Sequence, residues 1–354
     1  MQALSAGDLG GLGHALIDAA RALDKDKLHY KELFLPDLVV DAWFNDPGYA
    51  ELCAKNLMPA EPSPGNASAR VSLFLLDSDT LGWPAPPRWA DDVFDRQTTN
   101  QEFLRAGLRG AYLHDPRVWQ VYSPSQATGV QLVRRPGATP LWEAGGPLRV
   151  FLHWVYAGTA SRLCHAATLG VGGRGVLLVG AGGSGKSGTT LAGISCGMET
   201  VGDDYCLVKQ ARTVTAHPLY RIFKQDATGI GRAFPNGTDK NFGVLNWQGK
   251  YEIHESLLSP SPFVTTIDVV GIVVIRVAHL PRCTVRLLTA GPAMRAFAPS
   301  STFQLPDGEH EGIAFVAELC RRLPCVELQL SADAQDIVAT IRRLLEDDLA
   351  CMTS

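Results

Sequence analysis

The sequence predicts an α/β fold, and three observations predict it. The run Gly180-Ala181-Gly182-Gly183-Ser184-Gly185-Lys186-Ser187 fits the phosphate-loop pattern G-x-x-x-x-G-K-[ST] at every required position. An apolar run of strand length, Gly175 to Val179, leads into it, and Gly188 to Met198 reads as the helix leading out. Further downstream, apolar strand-like runs alternate with helical spacings, the pattern of a sheet flanked by helices around a nucleotide crevice.

Length and composition frame that prediction. A chain of 354 residues is long enough for two domains, expected here as an accessory domain over 1–146 and a nucleotide-binding domain over 147–354. Hydrophobic residues make up 46% and charged residues 19%, enough apolar material for a sizeable core. A formal charge of -4 argues against a dedicated nucleic-acid binder. No run reaches the uninterrupted apolar length of a membrane-spanning helix, and the first residues lack a basic segment followed by an apolar core, so neither a membrane nor a signal peptide is expected. The eight cysteines form no C-x-x-C pair, which suggests reduced thiols and a cytoplasmic setting.

Taken in chain order, Leu12, Leu16, Ile17, Ala20 and Leu23 suggest a short amphipathic helix. Up to about Gly146 no further long helical pattern is visible, so this part is expected to be α+β or mainly β. Val71 to Leu76 and Val118 to Tyr122 read as strands, and Ala60 to Ser68 as a loop. After Pro147, Leu148 to Tyr156 reads as a buried helix. The loop unit follows. Val269 to Val277, Thr284 to Leu288 and Val326 to Leu330 read as strands, Ile313 to Leu323 and Ile337 to Leu345 as helices.

The site residues follow from the loop. Its glycines let backbone N–H groups turn toward a triphosphate, Lys186 reaches the β/γ oxygens and the Ser187 hydroxyl can ligand Mg²⁺. Gly180, Gly182, Gly183, Ser184, Gly185, Lys186, Ser187 and Gly188 are therefore the expected nucleotide cradle. Beyond the helix come Asp203 and Asp204, adjacent carboxylates in an apolar run that looks like the next parallel strand. Such a pair is costly without a cation nearby. Beside Mg²⁺ and a triphosphate, one can hold metal and the other can take a proton from an attacking hydroxyl. Arg221 and Lys224 are candidates for a cation beyond Lys186, or else only solvate a helix face. His153 reads as structural, Ser300 to Thr302 as helix caps or a peptide-contact turn, capping being the safer reading, and Arg321-Arg322 as charges suited to a helix C-terminus.

His165, the loop and Asp203-Asp204 together resemble the HPr serine kinase/phosphorylase family, whose fold is similar to the nucleotide core of phosphoenolpyruvate carboxykinase. That family carries a His ahead of its P-loop and an Asp-Asp after the P-loop helix, at the spacings found here. The resemblance implies an ATP- and Mg²⁺-dependent serine kinase. It implies Asp203 as general base, Lys186 and His165 as its partners in catalysis, and Asp204 with Ser187 as metal ligands; residue spacing alone does not order the two aspartates. Looser likenesses at His217 to Arg221, Ala298 to Pro306 and Leu323 to Leu328 resemble a divergent branch that phosphorylates a serine of lasso-type precursor peptides. Two departures stand out. Gly188 occupies the place of a family Glu, and the glycine-containing signature loop after the Asp-Asp strand is not recognisable, so HPr as acceptor and the reverse phosphorolysis are not carried over. The implied partner is a peptide or protein bearing a serine, and, since HPr kinases are hexamers, a homo-oligomer is the matching expectation. A kinase of small hydroxyl compounds and a non-catalytic nucleotide switch are the competing readings. ATP against GTP stays open, although no Asn-Lys-x-Asp guanine segment is present.

Overall fold

The computed structural model describes residues 8–61, 69–87, 96–113, 116–234, 241–258 and 260–347. Mixed sheets and helices make it an α/β protein. Its chain falls into two compact units, one spanning Met1–Val155 with Leu305–Asp307, the other Tyr156–Gln304 with Gly308–Ser354.

The first unit holds helices α1 (Leu9–Arg21), α2 (Pro47–Asn56), α3 (Ser78–Leu81), α4 (Arg96–Arg105) and α5 (Arg149–Tyr156). Its strands are β1 (His29–Leu35), β2 (Leu38–Phe44), β3 (Ala69–Asp77), β4 (Arg109–Leu113), β5 (Val118–Ser123) and β6 (Thr128–Val133). They form one sheet in the order β1-β2-β3-β6-β5-β4, with β2, β3 and β6 parallel to their neighbours in the middle and antiparallel pairs outside. The apolar face of α1 (Leu9, Leu16, Ile17, Ala20) packs in one cluster with Phe74, Trp119 and Val121 of the sheet and Phe103 of α4. Helices α2 and α4 contradict the expectation that no long helix follows the first. The signal for α2 was present: Asp46 caps it, accepting from the N–H groups of Gly48 and Tyr49, and Pro47 stands at its start. The loop expected over Ala60 to Ser68 falls, from residue 62 on, outside the described residues.

The second unit continues with β7 (Ser161–Cys164), β8 (Ala167–Val171), β9 (Arg174–Val179), α6 (Lys186–Ser195), β10 (Cys206–Gln210), β11 (Val214–His217), β12 (Ile222–Gln225) and α7 (Ala227–Ala233). It closes with β13 (Tyr251–His254), β14 (Ile267–Leu280), β15 (Thr284–Leu288), α8 (Ala290–Thr302), α9 (Glu309–Arg322), β16 (Cys325–Ser331) and α10 (Ala334–Glu346). Strand β14 is the spine, parallel to β9 and to β16 and antiparallel to β11. Buried on both faces, β9 reads as a nearly continuous apolar run, while β16 alternates apolar residues with Glu327 and Gln329. One face of the sheet packs on α8 and α9 through Phe297, Val316 and Leu319, the other on α6 and α10 through Ala192, Ile341 and Leu344. A separate two-stranded hairpin, β12 with β13, stands off that sheet.

Three expectations are corrected here. Asp203-Asp204 do not sit on a parallel strand: they lie in a bend just before β10, which runs antiparallel to β7 and β11. Ser300 to Thr302 are not caps but the buried last turn of α8. Arg221 and Lys224 border or lie on β12 rather than a helix face. Among the described residues all seven cysteines are free, and no helix is long and apolar enough to cross a membrane.

Candidate functional site

Two glycines set the loop. Gly180 leaves β9 with φ 146, and a Cβ there would lie 2.8 Å from Ser184 Oγ and 3.1 Å from the Ile275 carbonyl oxygen. Gly185 starts α6 with φ 100, and a Cβ there would lie 2.7 Å from Leu330 Cδ1. Only glycine meets both conditions. Nothing lies within 4 Å of the Cβ positions of Gly182 and Gly183, so the crest of the loop is open. No side chain caps the first N–H groups of α6. A helix N-terminus with free donors is a ready anion site.

Lys186 is folded over this loop. Its Nζ donates to the carbonyl oxygens of Gly180 at 2.7 Å and Ala181 at 3.2 Å. Burial pushes its ammonium below the usual lysine range; Asp204 and Asp203 pull it back, and Lys250 pushes it further down. The Ser184 hydroxyl oxygen is buried without a hydrogen-bond partner. Ser187 is half-buried on the first turn of α6, with its hydroxyl close enough to Asp203 to favour the ionised carboxylate.

The acidic pair is asymmetric. Asp203 is 3% exposed. Its Oδ2 accepts from the Lys224 backbone N–H at 3.2 Å, while its Oδ1 is buried with no hydrogen-bond partner. Burial first, then the charge of Asp204, push Asp203 up to about 7; the Lys224 N–H and ammonium and the Ser187 hydroxyl act against them. Asp204 is more open and pairs with two cationic or donor groups, Lys224 Nζ at 3.0 Å and His165 Nε2 at 3.2 Å. Nε2 of His165 faces the Asp204 carboxylate, and its Nδ1 is buried without a hydrogen-bond partner. His165 stacks on Tyr205 at 5.2 Å between ring centroids, and its backbone N–H donates to Ser301 Oγ. Tyr205 OH donates to Gln304.

The structure thus joins Asp203, Asp204, His165 and Lys224 by direct contacts, and joins Lys186 and Ser187 to them through short-range electrostatics. Arg221 is not drawn in: its ion pair is with Glu255 at 3.6 Å. Gly188 faces Gln225, whose side-chain nitrogen would lie 3.3 Å from a Cβ at 188. His153 is structural, its Nε2 lying 2.6 Å from the Asp307 carbonyl oxygen. Sequence reasoning missed Tyr205, which stacks on the His165 ring, and read Ser301 without seeing that it accepts from the His165 backbone N–H; only the folded chain brings both to His165.

A nucleotide and a magnesium ion fit these residues. The open crest, the uncapped helix start, the orphaned Ser184 hydroxyl and the bent Lys186 suit phosphate oxygens. Among the described residues no cluster of three His, Cys, Asp or Glu could hold a metal alone. Mg²⁺ does not need one, since it takes one or two protein oxygens together with substrate phosphates.

No protein-family model and no curated protein matches the chain. Among solved structures, it is similar to the HPr(Ser) kinase/phosphatase from Coxiella burnetii, at 14% sequence identity and a TM-score of 0.30, over 55% of this chain and 99% of that one. So distant a likeness adds no weight to the side-chain geometry.

Proposed function

We propose that the chain is an ATP- and Mg²⁺-dependent kinase that phosphorylates a serine hydroxyl of a peptide or protein. The observation that carries this reading is the buried Asp203, poised near pH 7 with Oδ1 unpartnered, beside a phosphate loop whose lysine feels its charge. A general base works best with a pKa near the working pH.

Bound nucleotide and Mg²⁺ supply the phosphoryl group and the charge that neutralises it. The backbone N–H groups at Gly182 to Ser187 hold phosphate oxygens, and Lys186 exchanges its two carbonyl partners for them. Ser187 and Asp204 are the residues that would hold the metal. Asp203 is clamped at Oδ2 by the Lys224 N–H, which aims Oδ1 at the incoming hydroxyl. Oδ1 takes the serine proton as the serine oxygen attacks the γ-phosphorus of ATP, the bond to the β–γ bridging oxygen breaks and ADP leaves. His165 fixes the Asp204 carboxylate through Nε2.

The peptide or protein acceptor comes from the resemblance to the HPr kinase family, and a lasso-type precursor from the looser likenesses of the later segments. Incubation with γ-labelled ATP, Mg²⁺ and candidate serine peptides, followed by mass mapping of the phosphate, tests the proposal. Label on a serine is the expected result. Label on small hydroxyl compounds alone moves the chain to the other kinase class, and ATP binding without transfer to any acceptor leaves a nucleotide switch.

A further inference from the structure

Strands β9, β14 and β16 run parallel, so their carboxyl ends emerge along one edge of the sheet. In open α/β sheets, ligands bind in the crevice beyond such ends. Strand β9 stops at Val179, opposite Val274, and turns into the phosphate loop. Strand β14 runs on past that point to Val277, which stands opposite Leu330 of β16. The register then slips: the next pair is Leu280 with Ser331, so Ala278 and His279 bulge out of the ladder. Bulges bend a strand and recur beside active sites.

The two flanks of β9 carry different chemistry. On one flank β8 leads to the acidic pair: the Thr168 N–H donates to the Gly202 carbonyl oxygen at 3.0 Å, one residue before Asp203. On the other flank β14 presents carbon. Ile275 and Val277, alternate residues of one strand, share a side, and that side faces Gly185 of the loop. The Cβ position of Gly185 lies 2.7 Å from Leu330 Cδ1, 3.2 Å from Val277 Cγ2 and 3.6 Å from Ile275 Cγ2. Ile275 and Leu330 are buried, whereas Val277 is 43% exposed. A half-open apolar side chain is ordinary by itself. Its place, at the rim of the loop and continuous with buried apolar neighbours, is what points to a ligand.

We infer that Val277, backed by Leu330, is the shelf on which the nucleoside of a bound nucleotide lies. The inference rests on the nucleotide reading above. Lys186 and the acidic pair mark the β/γ end of the triphosphate, and the acidic pair lies on the β8 flank. A nucleotide laid across the loop with that end there carries its ribose and base to the opposite flank, over Val277. The base brings a flat apolar face, and covering Val277 takes apolar surface of both out of water. The phosphates need the loop; only the nucleoside needs the shelf.

Calorimetric titration of the full chain with Mg²⁺·ATP and with Mg²⁺·tripolyphosphate separates the two, on the parent, Val277→Asn, Val277→Thr, Val277→Ile and Lys186→Ala. Val277→Asn is expected to weaken ATP roughly five- to tenfold, the worth of an apolar contact of this size, and to hold tripolyphosphate within about twofold of the parent. Val277→Thr keeps the shape and exchanges one methyl for a hydroxyl, so about threefold is expected. Val277→Ile keeps the parent affinity for both. Val277→Asn binding ATP within about twofold of the parent, while Lys186→Ala loses both ligands, overturns the shelf and leaves the nucleotide reading standing. Should unliganded Val277→Asn melt below the parent, Val277→Thr decides alone, and parent-like ATP affinity in it overturns the shelf. Equal loss of ATP and tripolyphosphate affinity in the Asn and Thr variants also overturns it, since that marks a distorted loop. A parent that binds no ATP, or a Lys186→Ala that binds as the parent does, sinks the nucleotide reading itself.

Discussion

Lys224 holds Asp204 by its ammonium, at 3.0 Å from Oδ2, while its own backbone N–H holds the neighbouring Asp203. One residue therefore sets both carboxylates, one by charge and one by direction. Its charge favours the ionised form of Asp203. Lys224→Met removes that charge and keeps the N–H. The acid limb of the kcat–pH profile is expected to move from about 7 to higher pH, because an ionised Asp203 loses a stabilising neighbour. An unmoved limb with kcat reduced at every pH would show that Lys224 acts on the phosphates and not on the base.

Asp203→Asn should separate chemistry from binding. Loss of a general base costs about 10²–10⁴ in kcat, while calorimetric ATP affinity stays near the parent value. Retained turnover removes Asp203 from the role. The same variant has a stability signature. The folded carboxyl is raised from 3.8 to about 7, so its contribution to stability is present at low pH and lost as pH rises through that window. Asparagine abolishes this loss. Urea denaturation should find the variant more stable than the parent at pH 8, by up to about 4 kcal/mol, with the advantage gone at pH 4.

Gly185→Ala tests the loop without touching a charge. The new methyl meets Leu330 at 2.7 Å and the backbone must keep φ 100. A cost of about 1–3 kcal/mol in folding and loss of ATP binding are expected, read by thermal melting and calorimetry. Gly182→Ala, where nothing lies within 4 Å, should leave the melting temperature unchanged.

What the sequence revealed and what it hid divide along physical lines. The strand before the loop, the loop and the helix after it were legible because they are contiguous and Gly180, Gly183 and Gly185 answer local backbone demands. Strand β14 was legible because its centre is a nearly unbroken apolar run, and β16 because its apolar residues alternate with Glu327 and Gln329. The bend holding Asp203-Asp204 was misread as strand because its buried neighbours, Val201 and Cys206 to Val208, extend the apolar run across it. The clamp by Lys224 and the stacking of Tyr205 on His165 depend on long-range pairing, of which a single sequence carries no trace. Arg221 and Lys224 looked alike in the sequence; β12 sends Lys224 to the acidic pair, while Arg221 pairs with Glu255.

The first unit offers a test independent of any nucleotide. Glu143 is fully buried, accepting at Oε2 from Tyr49 OH at 2.6 Å and from the Leu148 N–H at 2.8 Å. Burial raises its carboxyl above 4.5, against the pull of those two donors and of Arg149. A raised carboxyl contributes stability at low pH that disappears as pH climbs through the folded value. Glu143→Gln removes that dependence. It should be less stable than the parent near pH 4, by about 1 kcal/mol for hydrogen bonds rebuilt less well, and should close the gap toward pH 8. Glu143→Ala leaves Tyr49 OH and the Leu148 N–H buried without an acceptor, and should cost about 2–4 kcal/mol at either pH. Urea midpoints at the two pH values check both. A Glu143→Gln deficit that widens as pH rises would mean the carboxylate is held ionised in the folded chain, with Arg149 and the two donors outweighing burial.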